Sequence, residues 1–159
     1  MTNRRSILVL ALFIASCLGV SALGAWSTMG PVATWYPTLR KPSWNPPAWV
    51  FGPVWTALYL SMAIAAWIVW RRAGFRKASG ALGIFALQLA LNAAWSPLFF
   101  GLRSPLAGLV DIAALWLAIG ATIIAFFRIS LVAGALLVPY WIWVTFATAL
   151  NAAIWTLNR

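Results

Sequence analysis

Aromatic and amide side chains recur at helical spacing in three apolar stretches of this sequence. Residues three or four positions apart share one face of an α-helix, so each set forms a stripe. The stripes are Trp55, Tyr59, Met62 and Ala66; Gln88, Asn92, Trp95 and Phe99; and Tyr140, Trp143, Ala147 and Asn151. An amide that faced lipid would lack hydrogen-bond partners. We therefore expect Gln88, Asn92 and Asn151 to point inward and the three stripes to face one another.

A space lined by these stripes has chemistry suited to ligand binding. Aromatic rings present flat apolar surfaces and the amides offer hydrogen bonds, so the occupant would be a planar apolar molecule with polar edges. A simpler interpretation is that the amides only tie helices together, at about 0.6 kcal/mol per hydrogen bond. Aromatic stripes also serve packing more often than ligand binding. Both interpretations stay open at this point.

The sequence offers little for catalysis. It has no histidine, one acidic residue, Asp111, and one cysteine, Cys17. These counts exclude a Ser/His/Asp triad, a carboxylate pair, a disulfide framework and, in practice, a metal site built from protein ligands. Asp111 can pair with Arg103, bond to a neighbouring helix or move protons. We favour a structural bond, because a single acid makes a poor proton relay. No cofactor is expected to be required.

The composition identifies the environment of these residues as a membrane. Apolar residues make up 64% of the 159 residues, charged residues make up 8%, and the mean hydropathy is +0.93. A soluble domain of this length needs a polar surface that this composition cannot provide. The net charge is +10, with the basic residues concentrated between apolar runs. We interpret this charge as contact with anionic lipid headgroups rather than with nucleic acid.

Five apolar runs are long enough to span a bilayer, which requires about 20 residues. They are roughly 7–26, 51–70, 79–100, 106–127 and 131–157. The second run is expected to end at a basic cluster of Arg71, Arg72, Arg76 and Lys77. Pro139 is expected to kink the fifth run. The predicted fold is an all-α membrane protein, a single domain 1–159 built as a five-transmembrane-helix bundle.

Basic residues are divided unequally between the two ends of the predicted bundle. The N-terminus, the second connection and the fourth connection hold seven of them, and the other end holds four. The positive-inside rule then places the N-terminus in the cytoplasm and the C-terminus outside. This distribution favours a bacterial cytoplasmic membrane.

The N-terminal run has two interpretations. Its basic start and the segment ending at Cys17 are similar to a lipoprotein signal with a lipidated cysteine. The apolar run continues to Trp26, however, which favours a retained membrane helix. Ala11, Ala15 and Gly19 form a stripe of small residues that would let another helix approach closely.

The connection between the first and second runs, residues 27–50, is unlike a flexible linker. With the flanking Trp26 it holds four tryptophans and five prolines: Trp26, Trp35, Trp44 and Trp49, and Pro31, Pro37, Pro42, Pro46 and Pro47. Prolines stiffen the backbone, and tryptophans favour the membrane interface. We expect a structured lid over one end of the bundle. An interfacial anchor without a ligand role is the alternative, and the two roles can coexist.

Several motifs along the chain resemble those of one membrane-protein family. They are Trp35-Tyr-Pro-Thr-Leu-Arg-Lys-Pro-Ser-Trp-Asn-Pro-Pro47, Pro53-Val-Trp-Thr-Ala-Leu-Tyr59, Gln88-Leu-Ala-Leu-Asn-Ala-Ala-Trp-Ser-Pro-Leu-Phe-Phe100, Val110-Asp111, and Pro139-Tyr-Trp-Ile-Trp-Val-Thr-Phe-Ala-Thr-Ala-Leu-Asn151. They are similar to the TspO/MBR family, which comprises tryptophan-rich sensory proteins and translocator proteins, also called peripheral benzodiazepine receptors. The resemblance extends over essentially the whole chain.

This resemblance implies a homodimeric five-helix bundle that binds porphyrins, such as protoporphyrin IX or haem-like molecules, and benzodiazepine-type ligands. The matching motifs imply a ligand pocket formed by Tyr36, Trp55, Asn92, Trp95, Trp143 and Ala147. Some members promote light- and oxygen-dependent porphyrin breakdown, and the tryptophans implicated match Trp55 and Trp143. We add Arg40 and Lys41, at the mouth of the site, as contacts for porphyrin carboxylates.

The leading prediction is a receptor or sensor that holds a porphyrin-type tetrapyrrole between its helices. Transport of porphyrin or another small apolar molecule is the alternative, and enzyme activity would be at most slow, light- and oxygen-dependent porphyrin degradation. Animal members carry a tyrosine followed by a basic residue near the end of the fifth helix, and residues 150–156 here contain neither. Sterol binding is therefore not expected. By family analogy, an outer membrane is the alternative location.

Overall fold

The computed structural model describes residues 3–159, so the first two residues of the predicted domain lie outside it. Its elements are the helices α1 (Asn3–Thr34), α2 (Ala48–Ser96), α3 (Pro105–Phe127) and α4 (Leu131–Leu157), with a 3₁₀ turn at Tyr36–Thr38 and a π-helical turn at Pro97–Gly101. No strand occurs within the described residues. All four helices are long and apolar enough to cross a membrane. The all-α membrane class is therefore confirmed.

The helix α2 has 49 residues and is not one straight rod. A straight helix of that length would extend about 74 Å, more than twice the roughly 30 Å hydrocarbon thickness. The backbone leaves the helical region at Gly74, where φ is 71° and ψ is 164°. The Tyr59 hydroxyl bonds to the side-chain oxygen of Asn92, 33 positions later, which is about 50 Å along a straight helix. The first arm (48–73) and the second arm (75–96) therefore fold back on each other.

The break between these arms falls inside the basic cluster, as expected from the sequence, but the basic residues themselves do not form a non-helical connection. The backbone is helical at Arg71, Arg72, Arg76 and Lys77, and only Gly74 departs from helical geometry. Arginine and lysine are good helix formers, so a cluster of them interrupts the apolar run without breaking the backbone. The turn depends on Gly74, since this combination of φ and ψ is open to glycine almost alone.

The lid segment is shorter than predicted. Helix α1 continues to Thr34, so residues 27–34 of the expected lid are helical. Pro31 lies inside this helix and removes one backbone donor without stopping it. Prolines are tolerated inside membrane helices. The helix therefore extends beyond Trp26, where the apolar run was predicted to end.

The remaining connection, residues 35–47, is tied to the end of the bundle. The Tyr36 hydroxyl donates to Asn45 Oδ1 at 3.0 Å, which closes the connection on itself. The backbone of Arg40 exchanges two hydrogen bonds with the side chain of Asn158, each of 2.9 Å. These bonds join the connection to the C-terminal end of α4.

Helices α3 and α4 both begin at serine caps. Ser104 Oγ accepts a hydrogen bond from the backbone of Ala107 at 3.2 Å, and Ser130 Oγ accepts one from Ala133 at 3.3 Å. Each bond satisfies a backbone donor that the start of a helix leaves free. Helix α4 contains Pro139 and has the bounds predicted from its apolar run.

Replacing Gly74 by alanine is expected to destabilise the protein by about 1–3 kcal/mol, because a Cβ is strained at this φ and ψ. No atom lies within 4 Å of the position of that Cβ, so the effect would come from the backbone alone. Gly83→Ala is the matched control: its Cβ also meets nothing within 4 Å, but its backbone is helical. Thermal unfolding in detergent measures both, and equal midpoints would contradict the role of Gly74.

Candidate functional site

A buried hydrogen-bond network joins both arms of α2 to α4. The Tyr59 hydroxyl donates to Asn92 Oδ1, and Asn92 Nδ2 donates to the Tyr140 hydroxyl oxygen at 2.8 Å. Tyr140 in turn donates to Gln88 Oε1 at 3.0 Å. All four side chains are at most 7% exposed. The two amides of the second arm thus point inward, in agreement with the sequence prediction.

Helical spacing places the members of this network. Gln88 and Asn92 are four positions apart, so they share one face of the second arm. Tyr59 meets Asn92 from the first arm, and Tyr140 meets both amides from α4. Hydrogen bonds are strong in a low-dielectric interior, where unpaired polar groups are costly. The network therefore fixes the mutual position of three helical segments.

Aromatic rings line the seam between the first arm and α4. The Trp55 ring centroid lies 5.5 Å from that of Tyr59 and 6.2 Å from that of Tyr140. The Phe51 ring, one helical turn before Trp55, lies 5.8 Å from the Trp143 ring. Trp55 and Trp143 are both half-buried. We call this region, next to the hydrogen-bond network, the tryptophan seam.

Trp143 has a buried polar atom without a partner. Its Nε1 makes no hydrogen bond to any of residues 3–159. Indole N–H groups normally find an acceptor when they are buried. The Phe146 ring links Trp143 to Trp44 of the connection, with centroid distances of 5.6 Å and 5.7 Å. An unsatisfied donor therefore lies on the seam, close to the connection between α1 and α2.

That connection also carries two cations and a half-buried phenol. Lys41 Nζ lies 4.7 Å from the centroid of the Tyr36 ring and donates to the Leu39 carbonyl at 3.0 Å. Burial raises the pKa of the Tyr36 hydroxyl above its ordinary value, and the hydrogen bond with Asn45 lowers it in part. Tyr36 is therefore a neutral hydrogen-bond donor at physiological pH. The Arg40 side chain is exposed.

A second aromatic cluster contains Trp95. Its ring stacks on Phe99 at a centroid distance of 5.1 Å, and its Nε1 donates to Asn151 Oδ1 at 3.2 Å. Asn151 Nδ2 donates to the Pro105 carbonyl at 2.7 Å. This packing needs a glycine, since a Cβ at Gly108 would lie 2.9 Å from Phe99 and 3.0 Å from Asn151. The polar group of Trp95 is thus engaged in a bond between helices.

The ligand contacts predicted from the sequence fall in these two neighbouring regions. Trp55, Trp143 and Ala147 pack against the main core, which contains Tyr59 and Tyr140. Tyr36 packs against Phe99 and Phe100 in the second cluster. Trp95 packs against both clusters, and Asn92 is held in the hydrogen-bond network, so the six residues form one continuous region.

Two aromatic residues of the seam were missed. Phe51 and Phe146 both contact Trp143, yet neither lies on the stripes identified from the sequence. Helical spacing could have identified both, because Phe51 precedes Trp55 by four positions and Phe146 follows Trp143 by three, which places each on the same helix face as its tryptophan.

Asp111 does not form the structural bond expected of it. The side chain is 8% exposed in α3, and its Oδ2 has no hydrogen-bond partner in the described part of the chain. A pairing with Arg103, one of the possibilities left open by the sequence, is not found within the described residues. Arg103 lies in the turn before α3, where its side chain is exposed, whereas Asp111 is buried farther along the helix.

Comparison with known proteins decides the family. The profile of the TspO/MBR family matches residues 13–156. The chain belongs to the TspO/MBR family. The identification based on sequence motifs is thereby confirmed for nearly the whole chain.

Relatives in this family come from bacteria, archaea and animals. The tryptophan-rich protein TspO of Chlorobaculum tepidum is 50% identical over 156 residues, which cover 97% of this chain and 98% of the relative. The translocator protein of Homo sapiens is 43% identical over 139 residues, or 86% and 82% of the two chains. The tryptophan-rich sensory protein of Cereibacter sphaeroides is 42% identical over 149 residues, or 92% and 89%. These TspO/MBR names describe sensing and translocation rather than a chemical reaction, and they support a general receptor or transport role.

Tyr140→Phe is expected to destabilise the protein by about 1–3 kcal/mol, because it leaves Asn92 Nδ2 and Gln88 Oε1 without their partner in a buried site. Tyr36→Phe is the control, since it removes one hydrogen bond at a half-buried position and should cost about 1 kcal/mol or less. Unfolding in detergent would compare the two variants. A loss for Tyr140→Phe no larger than that for Tyr36→Phe would show that the network does not hold the bundle.

Proposed function

We propose that this protein is a membrane receptor that binds a porphyrin-type tetrapyrrole, of the protoporphyrin IX class, at the tryptophan seam. One observation carries the proposal: the buried Nε1 of Trp143 lacks an acceptor among the described residues. A ligand with an acceptor at its edge would complete this hydrogen bond. The half-buried rings of Trp55 and Trp143 would then contact its flat faces. The motif resemblance to the TspO/MBR family implies the same ligand class.

The composition of the seam suits a large flat ligand. Covering apolar surface contributes about 25 cal/mol per Å², and each pair of stacked rings adds about 0.5–1.5 kcal/mol. Arg40 and Lys41, on the neighbouring connection, would pair with the porphyrin carboxylates. Benzodiazepine-type ligands would use the same rings. Because Phe51 and Phe146 pack on Trp143, ligand entry requires these two rings to turn aside.

We also propose that each arm of α2 crosses the membrane, which gives the chain five spans. The hydrogen bond between Tyr59 and Asn92 supports this topology, because it pairs the middle of one arm with the other. The turn at Gly74 then lies at the same end as the N-terminus, together with most of the basic residues. The positive-inside rule favours a cytoplasmic location for that end, in a bacterial cytoplasmic membrane.

The homodimer implied by the family resemblance stays a prediction. Helix α1 offers a surface for it: Ala11, Ala15 and Gly19 are all exposed, and no atom lies within 4 Å of a Cβ placed on Gly19. Small residues of this kind allow close approach of helices in a membrane. Light- and oxygen-dependent breakdown of bound porphyrin also stays a prediction and would depend on Trp55 and Trp143.

Titration of the purified protein with protoporphyrin IX, followed by the Soret absorption band, tests the site. The double variant Trp55→Phe/Trp143→Phe should bind about tenfold more weakly or worse, because it loses the free indole donor and ring area. The control Trp26→Phe/Trp49→Phe removes two tryptophans that are 72% and 76% exposed. Its affinity should stay within about twofold of the wild type, as expected for surface changes. Wild-type affinity in the seam variant would refute the assigned site.

Sealed liposomes distinguish a receptor from a transporter. A receptor should bind porphyrin without protein-dependent transfer across the bilayer. Ion-coupled transport has little chemical support, because Asp111 is the only acidic residue and histidine is absent from the sequence. Transfer that requires the protein and is lost in Trp55→Phe/Trp143→Phe would establish the transporter instead.

A further inference from the structure

An apolar groove of about 380 Å³ lies between the first arm of α2 and the N-terminal half of α4. It is separate from the tryptophan seam. Its lining residues are Ser61, Leu131, Val132, Ala135, Leu136 and Pro139. The Ser61 hydroxyl donates to the Leu136 carbonyl at 2.7 Å and so offers no free hydrogen-bond donor to an occupant. The groove therefore presents a surface suited to hydrocarbon.

A second depression continues this groove toward the basic end of the bundle. It has a volume of about 330 Å³ and is lined by Trp67, Ile68, Arg71, Arg72 and Val132. Val132 lines both depressions, so the two adjoin at this residue. The combined surface is apolar along the helices and cationic at its outer end.

One of the two arginines at this outer end is held in place. The Arg71 guanidinium lies 4.7 Å from the centroid of the Trp67 ring. The Trp67 indole is fixed in turn, because its Nε1 donates to the Ser6 carbonyl at 3.0 Å. A guanidinium positioned on an aromatic ring keeps its donors available for a phosphate or carboxylate.

The charge balance shows that the counterion of this pair comes from outside the chain. Asp111 is the only acidic side chain in the sequence, and it is buried in α3. Arg71 and Arg72 are both exposed. An anion supplied by the surroundings is therefore needed to neutralise them.

We propose that this surface is a binding site for one anionic glycerophospholipid, with its phosphate at Arg71 and Arg72 and an acyl chain along the groove to Pro139. The distance from Val132 to Pro139 is about 10 Å along α4, which suits the upper part of an acyl chain. An acidic peptide could meet the arginines, but its backbone would be unsatisfied beside Pro139 at membrane depth. The cationic depression next to an apolar groove thus favours a lipid over a protein partner.

The test uses purified protein reconstituted in nanodiscs of phosphatidylcholine and phosphatidylglycerol, with the retained lipid counted by native mass spectrometry after mild detergent release. The wild type should retain phosphatidylglycerol in preference to phosphatidylcholine. Arg71→Gln/Arg72→Gln should lower phosphatidylglycerol retention by about tenfold, the effect of losing charge-assisted hydrogen bonds. The matched control Arg76→Gln/Lys77→Gln removes the same charge at the same end of the bundle, outside the residues that line the groove. It should retain the lipid at the wild-type level.

A second pair of variants tests the hydrocarbon part of the site. Ala135 is exposed and lines the groove, so Ala135→Phe should fill it and lower lipid retention. Ala149→Phe is the control, at an exposed position on the same helix outside the groove. Equal retention in Ala135→Phe and Ala149→Phe would overturn the acyl-chain assignment. An equal loss of lipid retention in the two charge variants would overturn the phosphate site, because it would show only general attraction between the basic surface and anionic lipid. The absence of a preference for phosphatidylglycerol in the wild type would overturn it as well.

Discussion

The arrangement of this protein depends on one constraint, which is that polar side chains inside a membrane bundle must find partners within the chain. The network of Tyr59, Asn92, Tyr140 and Gln88 satisfies that constraint. It takes one group from the first arm of α2, two from the second arm and one from α4, so it is complete only when these three segments are together. A network of this type specifies one arrangement of helices, whereas apolar side chains alone tolerate many.

The hydrogen-bond network also fixes the positions of the neighbouring aromatic rings. Trp55 packs on two of its tyrosines, Tyr59 and Tyr140, and Trp143 follows Tyr140 by one helical turn. The same segments that satisfy the amides therefore bring two indoles to one seam. The seam differs from the network in one respect: the Nε1 of Trp143 is buried without an acceptor in the described chain. Asp111 Oδ2 in α3 is the other buried side-chain atom without a partner in the described chain. An acceptor supplied by a ligand at Trp143 is the physical basis of the proposed receptor function.

Positive charges at both ends of the bundle also require partners from outside the chain. The sequence has eleven basic residues and one acid, so most cations cannot be neutralised within the chain. Arg71 lies over the Trp67 ring at one end of the bundle, and Lys41 lies over the Tyr36 ring in the connection at the other end. In a bilayer the available anions are lipid headgroups, which links the charge of the chain to its surroundings.

The sequence alone determined the all-α membrane class, the bounds of α4, the inward amides and the family, because hydrophobic run length and helical spacing are local properties. It misplaced the end of α1, since Pro31 lies inside that helix without stopping it. It placed the break in α2 within residues 71–78 but did not identify Gly74 as the residue that makes the turn. Only the tertiary structure decided which polar groups pair: Trp95 with Asn151, Asn92 with two tyrosines, and Trp143 with none. Pairing depends on distances between segments that are far apart in sequence, and helical spacing within one segment does not encode them.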